Sequence, residues 1–110
     1  MTPAEKKPSK RLAFLEKITS EGSDDPLAWY GLAMEYRSLA RWEDSLKTFE
    51  ALRARRPDYV ALYLMCGQML VEAGRNAESR TWLEQGVVEA KKKGDSHAIS
   101  ELEAALGSLS

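Results

Sequence analysis

The residues best able to carry chemistry in this chain are few. His97 is its single histidine and Cys66 its single cysteine. A general base needs a carboxylate or thiol held beside it, and a metal needs a converging set of N, O or S donors. His97 has no such neighbour at catalytic spacing and reads as an exposed polar residue near a helix start. Cys66 ends an apolar run over 59–66 and has no basic neighbour to favour its thiolate, so it reads as a buried, inert thiol. The sequence contains no Cys/His cluster for zinc, no acidic loop for calcium and no Gly-rich loop for a phosphate. The expectation is a protein with no catalytic residues, no cofactor and no metal, and therefore not an enzyme.

Trp29, Tyr36, Phe49 and Trp82 could stack on a base or a cofactor, but their helical spacing assigns them to a core. Two short basic runs, Arg53, Arg55 and Arg56, and Lys6, Lys7, Lys10 and Arg11, could meet phosphates. They are balanced by 17 acidic residues against 16 basic ones, for a net charge of −1. A nucleic-acid site wants a broad basic face and an anionic membrane wants net positive charge, so these runs read as solvated surface. The lone cysteine fits a reducing compartment. The N-terminal MTPAEKKPSKR lacks the apolar centre of a secretory signal, and the longest apolar run is too short to span a bilayer. These features place the chain in the cytoplasm, with no nucleic acid, membrane or metal among its partners.

The stretch 26–57 organises the elements that carry these residues. Trp29, Leu32, Ala33, Tyr36 and Ala40 recur at helical steps, as do Leu46, Phe49 and Leu52 after a short polar break at 41–44. Two helices joined by so short a break fold back as an antiparallel pair.

The residue types in this stretch resemble a known repeat. Trp29-x2-Leu32-Ala33-x2-Tyr36, Ser45-x3-Phe49 and Pro57 are similar to the tetratricopeptide repeat (TPR) pattern W-x2-L-G-x2-Y…A-x3-F…P. Ala33 replaces the usual glycine and Ser45 the usual alanine, and both keep the position small. A shift of one repeat length places Tyr63 where Trp29 stood, Gly67 and Gly74 at small positions, Ser79 on Ser45 and Leu83 on Phe49. Cys66, Leu70, Gly86 and Lys91 depart from the pattern. The lost proline at Lys91 predicts that the second repeat runs on into a longer helix. The resemblance implies a small bacterial-type TPR protein: all-α, a right-handed α-α superhelix of antiparallel helix pairs, with about six helices.

On this reading residues 1–8 are a disordered tail and 9–110 form a single TPR-like domain. Within it, 9–21 is a half repeat, 26–57 the first repeat, 59–93 the second, and 95–107 a capping helix of the kind solenoids need for solubility. Asp25 before Pro26, Asp58, Asn76, and Asp95 or Ser96 are the expected N-caps. Gly22, Gly74 and Gly94 are the expected stops. The all-round apolar start of the helix over 59–73 makes it the central one of the stack.

In TPR proteins the concave face, lined by the first helix of each repeat, usually holds the ligand. Helical geometry assigns Leu27, Tyr30, Met34 and Arg37 to that face in the first repeat, and Ala61, Leu64, Met65 and Gln68 in the second. Members that grip a C-terminal carboxylate do so with Lys, Arg and Asn at these positions, and that clamp is absent. A mainly apolar groove with flexible methionines suits another protein, as a peptide or an amphipathic helix. The sequence therefore reads as a non-catalytic protein-interaction module. The alternatives are a structural module that homodimerises through its end helices and, ranked lower, a nucleic-acid-binding helical module. The amino-terminal helix could also occupy part of the groove.

Overall fold

The computed structural model describes residues 9–109. The tail over 1–8 lies outside the described residues. Six α-helices follow one another: α1 (Lys10–Ser20), α2 (Pro26–Ser38), α3 (Trp42–Arg55), α4 (Ala61–Glu72), α5 (Asn76–Lys93) and α6 (Ser96–Ser108). Among the described residues there is no strand. The helices α2/α3 and α4/α5 form antiparallel hairpins, and α6 folds back on α5 and also reaches α4. The molecule measures 38 × 33 × 19 Å. Helix α4 touches both α2 and α6, which form one layer with it, and α1, α3 and α5 lie in the other, within a thin dimension of about two helix diameters.

Side-chain caps open three of the six helices. Ser9 Oγ accepts from Leu12 N–H, Asp25 Oδ1 from Leu27 N–H with Pro26 in the first turn, and Asp95 Oδ1 from Ala98 N–H. The other two expected caps do not form. The Asp58 carboxylate turns instead to Arg56 (3.2 Å) and Lys93 (3.8 Å), and α4 begins two residues later than expected, at Ala61. Asn76 lies inside α5, whose first turn has no side-chain cap.

The break between α2 and α3 falls at 39–41, not 41–44. It uses the same hydrogen bonds as the break after α4. Arg41 N–H donates to Tyr36 C=O as Arg75 N–H donates to Leu70 C=O one repeat later. The residue inside each turn is left-handed: Gly74 at φ 77° and Ala40 at φ 57°. An L-residue with a Cβ pays about 1–2 kcal/mol there and glycine does not. Ala40→Gly is therefore expected to stabilise the protein by about 1 kcal/mol, read as a higher denaturant midpoint with an unchanged slope.

The main core runs through α2 to α6 and is built on Phe49, Leu52, Leu62, Tyr63, Met69, Leu70 and Leu83. A smaller cluster of Leu12, Leu15, Leu32 and Tyr36 seats α1 on α2. Helix α4 packs against α2, α3, α5 and α6, which is the central position its apolar sequence requires. Small residues set the helix spacing. Ser45 Oγ donates to Ala33 C=O at 2.9 Å, and Ser79 Oγ repeats the bond to Gly67 C=O at 2.7 Å. A Cβ on Gly67 would lie 2.5 Å from Leu83 Cδ2. Lys91 stands where the first repeat has Pro57, and α5 runs to 18 residues against 14 in α3.

Aromatic residues tie the hairpins together with help that the sequence did not suggest. The guanidinium of Arg53 lies 4.0 Å over the Trp82 ring, Arg55 lies 4.4 Å over Trp29, and Arg41 lies 4.6 Å over Tyr36. The basic run at the end of α3 is thus in part structural. Arg75 adds a bridge between the repeats by pairing with Glu43 at 2.8 Å and Glu78 at 2.7 Å.

Two buried phenols complete these ties. Tyr63 OH donates to Pro57 C=O at 2.6 Å, and Tyr36 OH donates to the Glu16 carboxylate. Burial pushes both phenols up to about 12, helped in Tyr36 by the Glu16 carboxylate that accepts its proton. A phenol whose folded pKa is raised stabilises the fold fully below the unfolded value of 10 and loses that contribution as the pH rises towards 12. Denaturant midpoints are therefore expected to fall progressively between pH 10 and 12, with part of the phenolate absorbance appearing only in that window. Tyr63→Phe should flatten the fall.

Candidate protein-binding groove

The inner layer of α2, α4 and α6 carries two adjoining clefts along the seam between α4 and α6. The seam exists because α6 packs on α5 through Leu102, which is 1% exposed and fits over Gly86. Helix α6 therefore sits beside α4 much as α4 sits beside α2. Two walls of apolar side chains result, with a trough between them.

The first cleft, about 300 Å³, has Ala61, Leu64 and Met65 on one wall and Ala98 and Leu102 on the other. Asp95, His97 and Glu101 stand at its mouth. His97 Nε2 lies 2.6 Å from Glu101 Oε1, one helical turn on. This is the acidic neighbour that the sequence reading did not assign to His97. The pair is exposed and has no nucleophile or third orienting group in contact, so it reads as a rim contact and not as catalytic machinery.

The second cleft, about 330 Å³, is lined by Arg37, Gln68, Val71 and Glu72 facing Ala105, Ser108 and Leu109. Arg37 Nε bonds Glu72 Oε1 at 2.5 Å, which crosses from α2 to α4 and closes this end of the trough. Its Nη1 also reaches Met65 Sδ at 3.8 Å.

Five of the eight predicted groove residues thus come together: Ala61, Leu64 and Met65 in the first cleft, Arg37 and Gln68 in the second. The other three line neither. Leu27 is exposed on α2. Tyr30 makes an edge-on contact with Tyr59, ring centres 5.6 Å apart, and burial raises its phenol pKa. Met34 is half-buried against the main core. The α6 wall was missed because a single apolar stripe reads as one packed face, while α6 uses its stripe against α5 and the flank of that stripe in the clefts. Helix α1 packs on α2 and on no other described helix, so it does not enter the trough.

Cys66 is fully buried in α4, and burial pushes its thiol pKa well up, away from a nucleophilic thiolate. Among the described residues no group of three or more His, Cys, Asp or Glu is placed to hold a metal ion, and no helix is long and apolar enough to cross a membrane.

No family model and no curated protein matches the chain. Solved structures do. A protein of Bordetella parapertussis, solved in solution, is similar over 94% of this chain and 89% of its own, with 24% identity and a TM-score of 0.77. A tetratricopeptide repeat domain protein of Salinibacter ruber is similar at 29% identity over 77% of this chain. Its crystal structure is covered over 94% with a TM-score of 0.69, and its solution structure over 86% with a TM-score of 0.72.

Proposed function

We propose that this chain, whose fold is similar to that of a bacterial TPR domain protein, is a non-catalytic, cytoplasmic protein-interaction module that takes a peptide or amphipathic helix of another protein along the α4/α6 trough. The observation that carries this reading is the trough itself. Its two clefts lie on successive turns of α4 and are mainly apolar, and Leu64, Met65, Ala98, Leu102 and Ala105 in their walls pack in or against the main core. A solenoid presents such a surface to a partner segment because its repeats are rigid and its inner layer is concave. In this reading α1 is the second helix of an incomplete first repeat, and α6 is the inner helix that closes the stack.

Selection of displayed random peptides on the immobilised protein tests the proposal. The expected result is a family of peptides that share apolar anchors and compete with one another for one site of micromolar affinity. Recovery of no competing family, or of peptides that bind a chain whose first cleft is blocked equally well, would contradict it.

Self-association is the second reading, and one observation favours it. Phe14 on α1 is 61% exposed on a helix that has a single packing neighbour. Sedimentation across a concentration series separates the two: a constant monomer mass removes self-association, and a concentration-dependent dimer supports it.

A further inference from the structure

We infer that the segment this trough takes is a basic amphipathic helix, held by apolar anchors in the two clefts with a lysine or arginine over Asp95 and Glu101. The inference rests on the groove reading above and specifies its ligand. Charge is the first argument. The ionised groups lining the clefts are Asp95, Glu101 and Glu72 against Arg37, and Arg37 is already committed to Glu72. Apart from the His97 imidazole beside Glu101, no lysine or arginine of the trough faces the two carboxylates at the mouth of the first cleft. Asp95 spends one oxygen on the α6 cap, and Glu101 meets only the His97 imidazole. A cation on the partner, set beside an apolar anchor, meets both demands, while an acidic partner would be repelled at the same place.

Backbone chemistry is the second argument. An extended peptide needs partners for its own N–H and C=O groups. This inner layer is wholly helical and has no free main-chain edge. Its other polar side chains in the clefts are Gln68, Ser108 and His97, and His97 is already turned to Glu101. A helix satisfies its own backbone and asks the groove only for side-chain pockets. The two clefts follow successive turns of α4, from Ala61–Met65 to Gln68–Glu72. At 1.5 Å per residue their centres lie roughly 10 Å apart, the span of anchors at i and i+7 on a partner helix.

The test uses the full chain and two synthetic helical peptides of one pattern, leucine at i, i+3, i+4 and i+7, with the polar positions filled by lysine in one and glutamate in the other. Binding is followed by amide shifts in isotope-labelled protein. The lysine peptide is expected to shift Ala61, Leu64, Met65, Ala98 and Glu101 and to bind at least about tenfold tighter than the glutamate peptide. Glu101→Lys, at an exposed site, should remove or reverse that preference without changing stability, whereas Glu50→Lys on the outer layer should leave it intact. Equal binding of both peptides in the trough would overturn the inference and leave the groove reading standing. Shifts confined to the outer layer, or none with either peptide, would overturn both. Loss of preference in Glu50→Lys as well would mark diffuse attraction to an acidic protein and overturn the inference.

Discussion

Gly86→Ala is expected to destabilise the protein by about 2 kcal/mol, although alanine is the better helix former by about 1 kcal/mol. A Cβ at this position would lie 2.5 Å from Tyr63 Cβ and 2.9 Å from Leu102 Cδ2. Tyr63 Cβ is fixed to the α4 backbone and cannot swing aside as the end of a long side chain could. Helices α4 and α5 must separate, or α6 must lift. Gly107 in α6 is the control, since a Cβ there meets nothing within 4 Å. Gly107→Ala should raise stability by up to about 1 kcal/mol. Chemical denaturation reads both signs. A stabilised Gly86→Ala would mean that α4, α5 and α6 do not meet as described. Gly86→Leu adds far more volume at the same contact and should abolish the cooperative transition.

Filling the first cleft by Ala61→Trp is expected to weaken binding of any trough ligand by tenfold or more, about 1.4 kcal/mol, with stability unchanged. Ala61 is exposed, begins α4 and lines the cleft, so the indole enters the trough without disturbing the core. It also leaves the charge unaltered, which separates occupation of the trough from attraction to its rim. Leu64 and Met34 are poorer probes, because both pack against the main core and a polar replacement would damage the fold as well as the surface. Titration of a selected peptide against the wild-type chain and this variant supplies the measurement. Equal affinity would place the ligand elsewhere.

Much of the architecture was legible because the pattern is local. Trp29, Leu32, Ala33 and Tyr36 lie on one helix face whatever surrounds them, and Asp25–Pro26 and Asp95 act on their own first turns. Some of the failures come from competition that sequence spacing does not display. Asp58 looks like a cap in sequence, but Arg56 and Lys93 compete for its carboxylate in space. Arg53 and Arg55 look like solvated charge until the fold brings Trp82 and Trp29 beneath them.

Gly86 is the instructive case. It departs from the repeat pattern, standing where the first repeat has the fully buried Leu52. In exchange Tyr63 is fully buried where its counterpart Trp29 is only half-buried. The second repeat thus lets Tyr63 sink against the α5 backbone where no side chain stands at Gly86, coupling two positions that are far apart in sequence. For the groove, the α4 wall was readable from helical phase, whereas the α6 wall depends on the angle at which α6 meets α5, which no local pattern encodes. The His97–Glu101 pair, by contrast, was available in the spacing of four residues.

Amide shift mapping of the labelled chain with a peptide selected on it addresses the interaction surface most directly. The perturbed residues should form one patch along the α4/α6 seam, spanning Ala61, Leu64, Met65, Gln68, Ala98 and Ala105, and the patch should vanish in Ala61→Trp. A patch on the outer layer of α3 and α5, or one centred on Phe14 of α1, would show that the trough is not where this protein meets its partner.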